Sequence, residues 1–123
     1  MYRVDIEREF SAAHNLCGYQ GDCAKLHGHN WQVQVVVKAK ELDEIGMAVD
    51  FKILKRELDA ILDEFDHAHL NELPYFSTKN PTSEQIAKVV FDSLSKALND
   101  ERVEVEKVRI CESAKSGATY SID

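Results

Sequence analysis

The chain has 123 residues, 44% of them hydrophobic and 30% charged, with a formal net charge of −7. That length supports one domain, residues 1–123, with a core of its own, yet a roomy active site would draw on a neighbouring subunit. The acidic balance argues against a nucleic-acid surface, no apolar run approaches membrane length, and the first ten residues alternate in polarity rather than forming a signal peptide, so a cytoplasmic protein is expected.

In chain order, Tyr2, Val4, Ile6 and Phe10 alternate with Arg3, Asp5, Glu7 and Glu9, a first strand that ends near Ser11 with His14 just beyond. A loop, Asn15 to Leu26, is broken by Gly18 and Gly21 and carries Cys17 and Cys23. With Cys111 these make an odd number of cysteines without a repeating spacing, which reads as free thiols in a reducing compartment rather than a disulfide framework. The second strand, about His27 to Ala39, sets Trp31, Val33, Val35 and Val37 on the face that also carries His27 and His29. After a turn at Gly46, Asp50 caps a helix whose core stripe is Phe51, Leu54, Leu58, Ile61, Leu62 and Phe65. Asp66, His67 and His69 follow, then a connection through Pro74, Tyr75 and Phe76. Thr82 and Gln85 form a capping box that opens a second helix with Ile86, Val89, Val90, Phe91, Leu94, Ala97 and Leu98 on one side. Val103–Glu112 and Ala118–Ile122 complete the chain as two strands, with a phase slip between Val105 and Val108 that marks a bulge. The order β-β-α-α-β-β predicts an α+β fold, a four-stranded antiparallel sheet with two helices on one face. Such an open sheet has two edges, and pairing them between subunits in a closed ring is one way to cover them.

The chemistry concentrates between Cys23 and Trp31. Side chains two apart in a strand share a face, so His27 and His29 can form a bidentate clamp, and Gly28 between them suits a crowded spot. Alone, such a pair also reads as a polar strand start. If the first two strands pair antiparallel, His14 arrives beside the pair as a third ligand; the alternative is a hydrogen-bonded histidine at a loop edge. Three neutral nitrogens would leave a Zn2+ ion its full charge and one open position, as in a catalytic site. Glu112 falls in phase with Val108 and Ile110, an acid where the alternation calls for an inward apolar residue, although a strand-end glutamate turned to solvent fits the same pattern. Lys25, Lys79 and Lys115 could make a pocket locally positive for a phosphorylated small molecule despite the net charge.

Phe10-Ser-Ala-Ala-His14, Cys23-x-x-x-His27-Gly28-His29, Val49-Asp50-Phe51, Asp66-His67 with Leu70-Asn71, Pro81-Thr82-Ser83-Glu84 and Cys111-Glu112-Ser113 together resemble the 6-pyruvoyltetrahydropterin synthase / 6-carboxytetrahydropterin synthase family over nearly the whole chain. The short Cys-x-x-x-His-Gly-His form resembles the carboxy branch, which makes the queuosine precursor. The resemblance implies the tunnelling fold, in which subunit sheets close a barrel with active sites between subunits, and a homo-oligomer, a hexamer in this case. It implies Zn2+ on His14, His27 and His29, Cys23 as the catalytic thiol, Asp66 and His67 as a proton-relay pair, Glu112 as the anchor of the pterin ring, and Thr82 and Ser83 as further substrate contacts. The implied substrate is 7,8-dihydroneopterin triphosphate, from which the carboxy branch releases triphosphate and acetaldehyde to leave 6-carboxy-5,6,7,8-tetrahydropterin.

Other readings of these residues stay open on the sequence. Cys23 could instead be a fourth, closing ligand, and Asp66 and His67 could be helix-end residues near the dipole. His69 stands at a position the family leaves variable and reads as surface or as a residue behind the site, at most a phosphate contact, and Cys17 is extra to the pattern, a buried or loop thiol without function. The alternative activity is the pyruvoyl branch of biopterin synthesis, and a different class is a metal-binding module without catalysis.

Overall fold

The computed structural model describes residues 1–18 and 24–123. Four strands, β1 (Tyr2–His14), β2 (His27–Ala39), β3 (Val103–Ser113) and β4 (Ser116–Ser121), form one antiparallel sheet in the order β1-β2-β3-β4. Helices α1 (Phe51–Leu62) and α2 (Ser83–Leu98) cover one face, joined by 3-10 turns at Leu70–Glu72 and Pro74–Phe76. The expected order, sheet and layer arrangement are all present.

The core lies where the alternation of the strands meets the stripes of the helices. Ile6 and Phe10 from β1, Trp31, Val33, Val35 and Val37 from β2, and Val108 and Ile110 from β3 are buried against Leu54, Leu58 and Leu62 of α1 and Ile86, Val90 and Leu94 of α2. Two expected stripe residues depart from this pattern. Phe51 is half exposed, because it occupies the first turn of α1 at the rim of the layer, and Ala97 is exposed in the last turn of α2.

Both helix starts carry side-chain caps. Asp50 Oδ1 accepts from the Lys52 N–H (2.8 Å), and Thr82 Oγ1 accepts from the Gln85 N–H (3.1 Å). The Thr82 box is one-sided: the Thr82 N–H donates to the Asn80 carbonyl (2.9 Å) rather than to Gln85. The phase slip in β3 is a bulge, since Val36 pairs with Lys107 and Val37 with Val105, leaving Glu106 without an opposite number. Glu106 instead accepts from Arg3 Nε at 2.6 Å.

β1 continues three residues past its expected end, because Ala12, Ala13 and His14 pair with His29, Gly28 and His27. Its outer edge is partly covered there. Asp66 Oδ1 accepts from the Ser11 N–H (2.9 Å), the His67 N–H donates to the Ser11 carbonyl, and the Ala13 N–H donates to the Ala68 carbonyl (3.0 Å). The chain leaving α1 is thus stitched along the last turns of β1, next to the residue that matters most for chemistry, His14.

Candidate metal centre

Antiparallel pairing sets His14 directly opposite His27, and the two-residue period of β2 returns His29 to the same face. One ring nitrogen from each of the three histidines lies within 4.8 Å of the others. His14 is fully buried, His29 partly and His27 exposed, so the cluster opens to solvent on one side. Trp31 forms its floor. The indole meets the rings of His14 and His29 edge-on, with centroids 4.8 and 5.1 Å apart, and is itself fixed by donating Nε1–H to the Ala12 carbonyl (3.1 Å).

The hydrogen bonds decide which nitrogens face the centre. His14 Nδ1 contacts the Pro81 carbonyl at 2.8 Å and His27 Nδ1 the Lys25 carbonyl at 2.9 Å. A carbonyl accepts only, so both Nδ1 atoms carry the proton and both Nε2 atoms present lone pairs. Those two lone-pair atoms are 3.0 Å apart, a pairing that either a bound cation or one proton taken up between the rings would satisfy. His29 Nε2 is buried and has no hydrogen-bond partner. Burial also pushes the His14 imidazole below its ordinary pKa, against the opposing pull of the Pro81 carbonyl, and His27 and His29 lower it further. A neutral ring with its outer nitrogen on a carbonyl is the form that binds metal. The donor set therefore fits a borderline-soft divalent ion, with three imidazoles and one open side.

Glu112 stands at the rim, its Oε2 3.9 Å from His29 Nε2 and its side chain 37% exposed. It lies beside the cluster at the mouth, neither fully inward as the strand phase would have it nor fully turned to solvent. Asp66 and His67 form a pair at 3.0 Å between Oδ2 and Nδ1. The Ser11 N–H, then the His67 side chain, hold the Asp66 carboxyl below the usual carboxylate range, so it stays ionised and can orient the imidazole. His67 adopts a left-handed backbone (φ 59°), and its side chain is 82% exposed. Thr82 and Ser83 begin α2 beside Pro81; Thr82 caps the helix and Ser83 is buried.

Cys23 lies outside the described residues. Cys17 is disulfide-bonded, which corrects the expectation of a free thiol there, whereas Cys111 is a free, buried cysteine. The crowding expected at Gly28 is absent: an added Cβ would meet the Ala12 carbonyl oxygen at 3.8 Å, an ordinary contact. His69 donates from Nε2 to Asn15 Oδ1 (3.0 Å) and so touches the segment that follows His14. Asn71 stands in the sequence reading only as part of a motif, without a role, and Asn80 has no role there; their amides grip the same segment from more than fifty residues away.

Among the described residues, no helix is long and apolar enough to cross a membrane. Residues 3–123 match the family described as 6-pyruvoyl tetrahydropterin synthase. A 6-carboxy-5,6,7,8-tetrahydropterin synthase of Synechocystis sp. is 36% identical over 93% of this chain and 91% of its own length. One of Bacillus subtilis is 31% identical over 80% of this chain and 68% of its own. The structure of Caenorhabditis elegans 6-pyruvoyl tetrahydropterin synthase superposes with a TM-score of 0.81 at 31% identity, covering 100% of this chain and 98% of the other. Fold, motif order and relatives agree, and the chain belongs to the 6-pyruvoyl tetrahydropterin synthase family of pterin synthases.

Proposed function

We propose that the protein is a zinc-dependent 6-carboxy-5,6,7,8-tetrahydropterin synthase, converting 7,8-dihydroneopterin triphosphate to 6-carboxytetrahydropterin, triphosphate and acetaldehyde in the queuosine (7-deazaguanine) route. The observation that carries this reading is the convergence of three imidazole nitrogens, one of them buried without a partner, beside a carboxylate at the mouth. Relatives named for the carboxy reaction support the branch.

In this proposal His14, His27 and His29 hold the zinc through nitrogens that lie within 4.8 Å of one another. Zinc, when bound, supplies a Lewis acid for the side-chain hydroxyls of the substrate, which acidifies the neighbouring C–H bonds. In the reduced protein Cys23 takes a proton as thiolate, a form favoured near a dication. His67 moves a second proton, with its Nδ1–H directed onto Asp66 and its other nitrogen left for substrate. Glu112 accepts the ring N–H and exocyclic amine of the pterin, a two-donor edge matched by two carboxylate oxygens. Thr82 still has its hydroxyl hydrogen to donate while it caps α2, and with Ser83 it completes the proposed substrate contacts. The exposure of His67 in the single chain suits a homo-oligomer, a hexamer with sites between subunits, in which a neighbour covers the relay pair. The proposed location is the cytoplasm.

One observation favours a second reading. The solved relative with 31% identity over the full chain is named for the pyruvoyl reaction, which keeps the carbon chain of the substrate. Incubation with dihydroneopterin triphosphate and mass spectrometry of the products separates the two: acetaldehyde and the 6-carboxy product support the proposal, and a pyruvoyl product supports the alternative. Bound zinc without any turnover would indicate a metal-binding module instead.

A further inference from the structure

The segment that follows His14 is held by two asparagine side chains acting as substitutes for a neighbouring strand. Asn71 Oδ1 accepts from the Asn15 N–H (3.0 Å) while its Nδ2 donates to the Asn15 carbonyl (2.7 Å). Asn80 repeats the arrangement two residues on, accepting from the Cys17 N–H (2.8 Å) and donating to the Cys17 carbonyl (2.7 Å). Each amide offers one donor and one acceptor in the spacing of a backbone pair, and residues 15 and 17 both present their N–H and carbonyl to the connection between the helices.

The residues next to these clamps grip the histidine itself. Pro81, adjacent to Asn80, gives the carbonyl that receives His14 Nδ1–H (2.8 Å), and Ala68, shortly before Asn71, gives the carbonyl that receives the Ala13 N–H (3.0 Å). Positions 13, 14, 15 and 17 are thereby anchored to the connection between α1 and α2, and His14 lies in the middle of the run. We propose that Asn71 and Asn80 are positioning residues for the metal centre: they fix the backbone on the far side of His14, so that its ring is held between the Pro81 carbonyl and the common point shared with His27 and His29. The claim rests on the metal-site reading above and adds to it two residues that touch neither metal nor substrate.

Exchanging an amide for a carboxylate keeps the shape but sets an acceptor against the carbonyl it used to reach, which makes the aspartate variants the sharpest probes. The experiment measures Co2+ affinity by chelator competition and the visible spectrum of the cobalt-loaded protein in wild type, Asn71→Asp, Asn80→Asp and Asn80→Ala, with melting curves to confirm folding. Ser77→Ala, in the same connection but outside the clamps, serves as the control. Loss of a partner behind a ligand typically lowers metal affinity by about 10- to 100-fold. The expected result is a loss of about that size and an altered cobalt spectrum in the folded clamp variants, with Ser77→Ala unchanged. Wild-type affinity and spectrum in the folded aspartate variants would overturn the clamp while leaving the metal centre standing. Failure of the wild type to bind cobalt would overturn both.

Discussion

His14 and His27 face each other with their Nε2 atoms 3.0 Å apart, while their Nδ1 atoms rest on the carbonyls of Pro81 and Lys25. Two lone pairs aimed at each other across that gap are stabilised by a bound cation or by a proton taken up between them. A first consequence concerns pH. Burial holds the His14 pKa below 6.5, so as the pH falls below that value the unfolded chain takes up a proton that the folded chain still refuses. The unfolded state then binds more protons, and the metal-free protein loses stability as pH falls from about 6.5 toward the folded pKa. Melting temperatures of chelator-treated protein should decline over this range, and His14→Gln should flatten the decline; parallel curves for the two proteins would refute the assignment.

Cys23→Ala is expected to keep zinc and fold but to lose about 10²- to 10⁴-fold in turnover, the usual contribution of a positioned acid or base. The comparison should be run in reductant, because Cys17 is disulfide-bonded and thiolate chemistry is tested only in the reduced protein. Parallel loss of zinc and activity would make Cys23 a ligand.

Glu112→Gln and Glu112→Ala should each weaken pterin binding by about 1 to 3 kcal/mol, the cost of leaving a ring donor without its acceptor. Since the carboxylate sits at the rim, 37% exposed, melting temperature should hardly move. Titration with a pterin product checks this, and unchanged affinity in both variants would remove Glu112 from the ring contacts.

His67 pairs a left-handed backbone with an exposed imidazole, a strained conformation whose retention suggests use rather than packing. His67→Gly should relieve about 1 kcal/mol of strain and melt no lower than wild type, while turnover falls. A lower melting temperature with intact turnover would reverse the roles. As a calibration, Asp50→Ala should lower stability by about 1 kcal/mol through loss of the α1 cap, a shift of about 4 °C for a chain of this size, with no change in metal binding.

Much of this arrangement was legible in the chain because it depends on short periods. The two-residue alternation located the strands and brought His27 and His29 to one face, the Thr82 and Asp50 caps located the helix starts, and the phase slip located the bulge at Glu106. What stayed hidden depends on partners distant in sequence. No local pattern shows that Asn80 reaches Cys17, that Pro81 receives His14, or that Ser11 fixes Asp66. Phe51 and Gly28 were misplaced for a related reason: the sequence shows a residue's phase or permissiveness but not whether another element comes close enough to cover it.

The most direct test of the central claim is zinc content per chain, by elemental analysis of the wild type beside His27→Ala and His29→Ala purified in the same way. The convergence of three imidazole nitrogens predicts about one zinc per chain in the wild type and a large loss in both variants. Full wild-type zinc in both variants would contradict it.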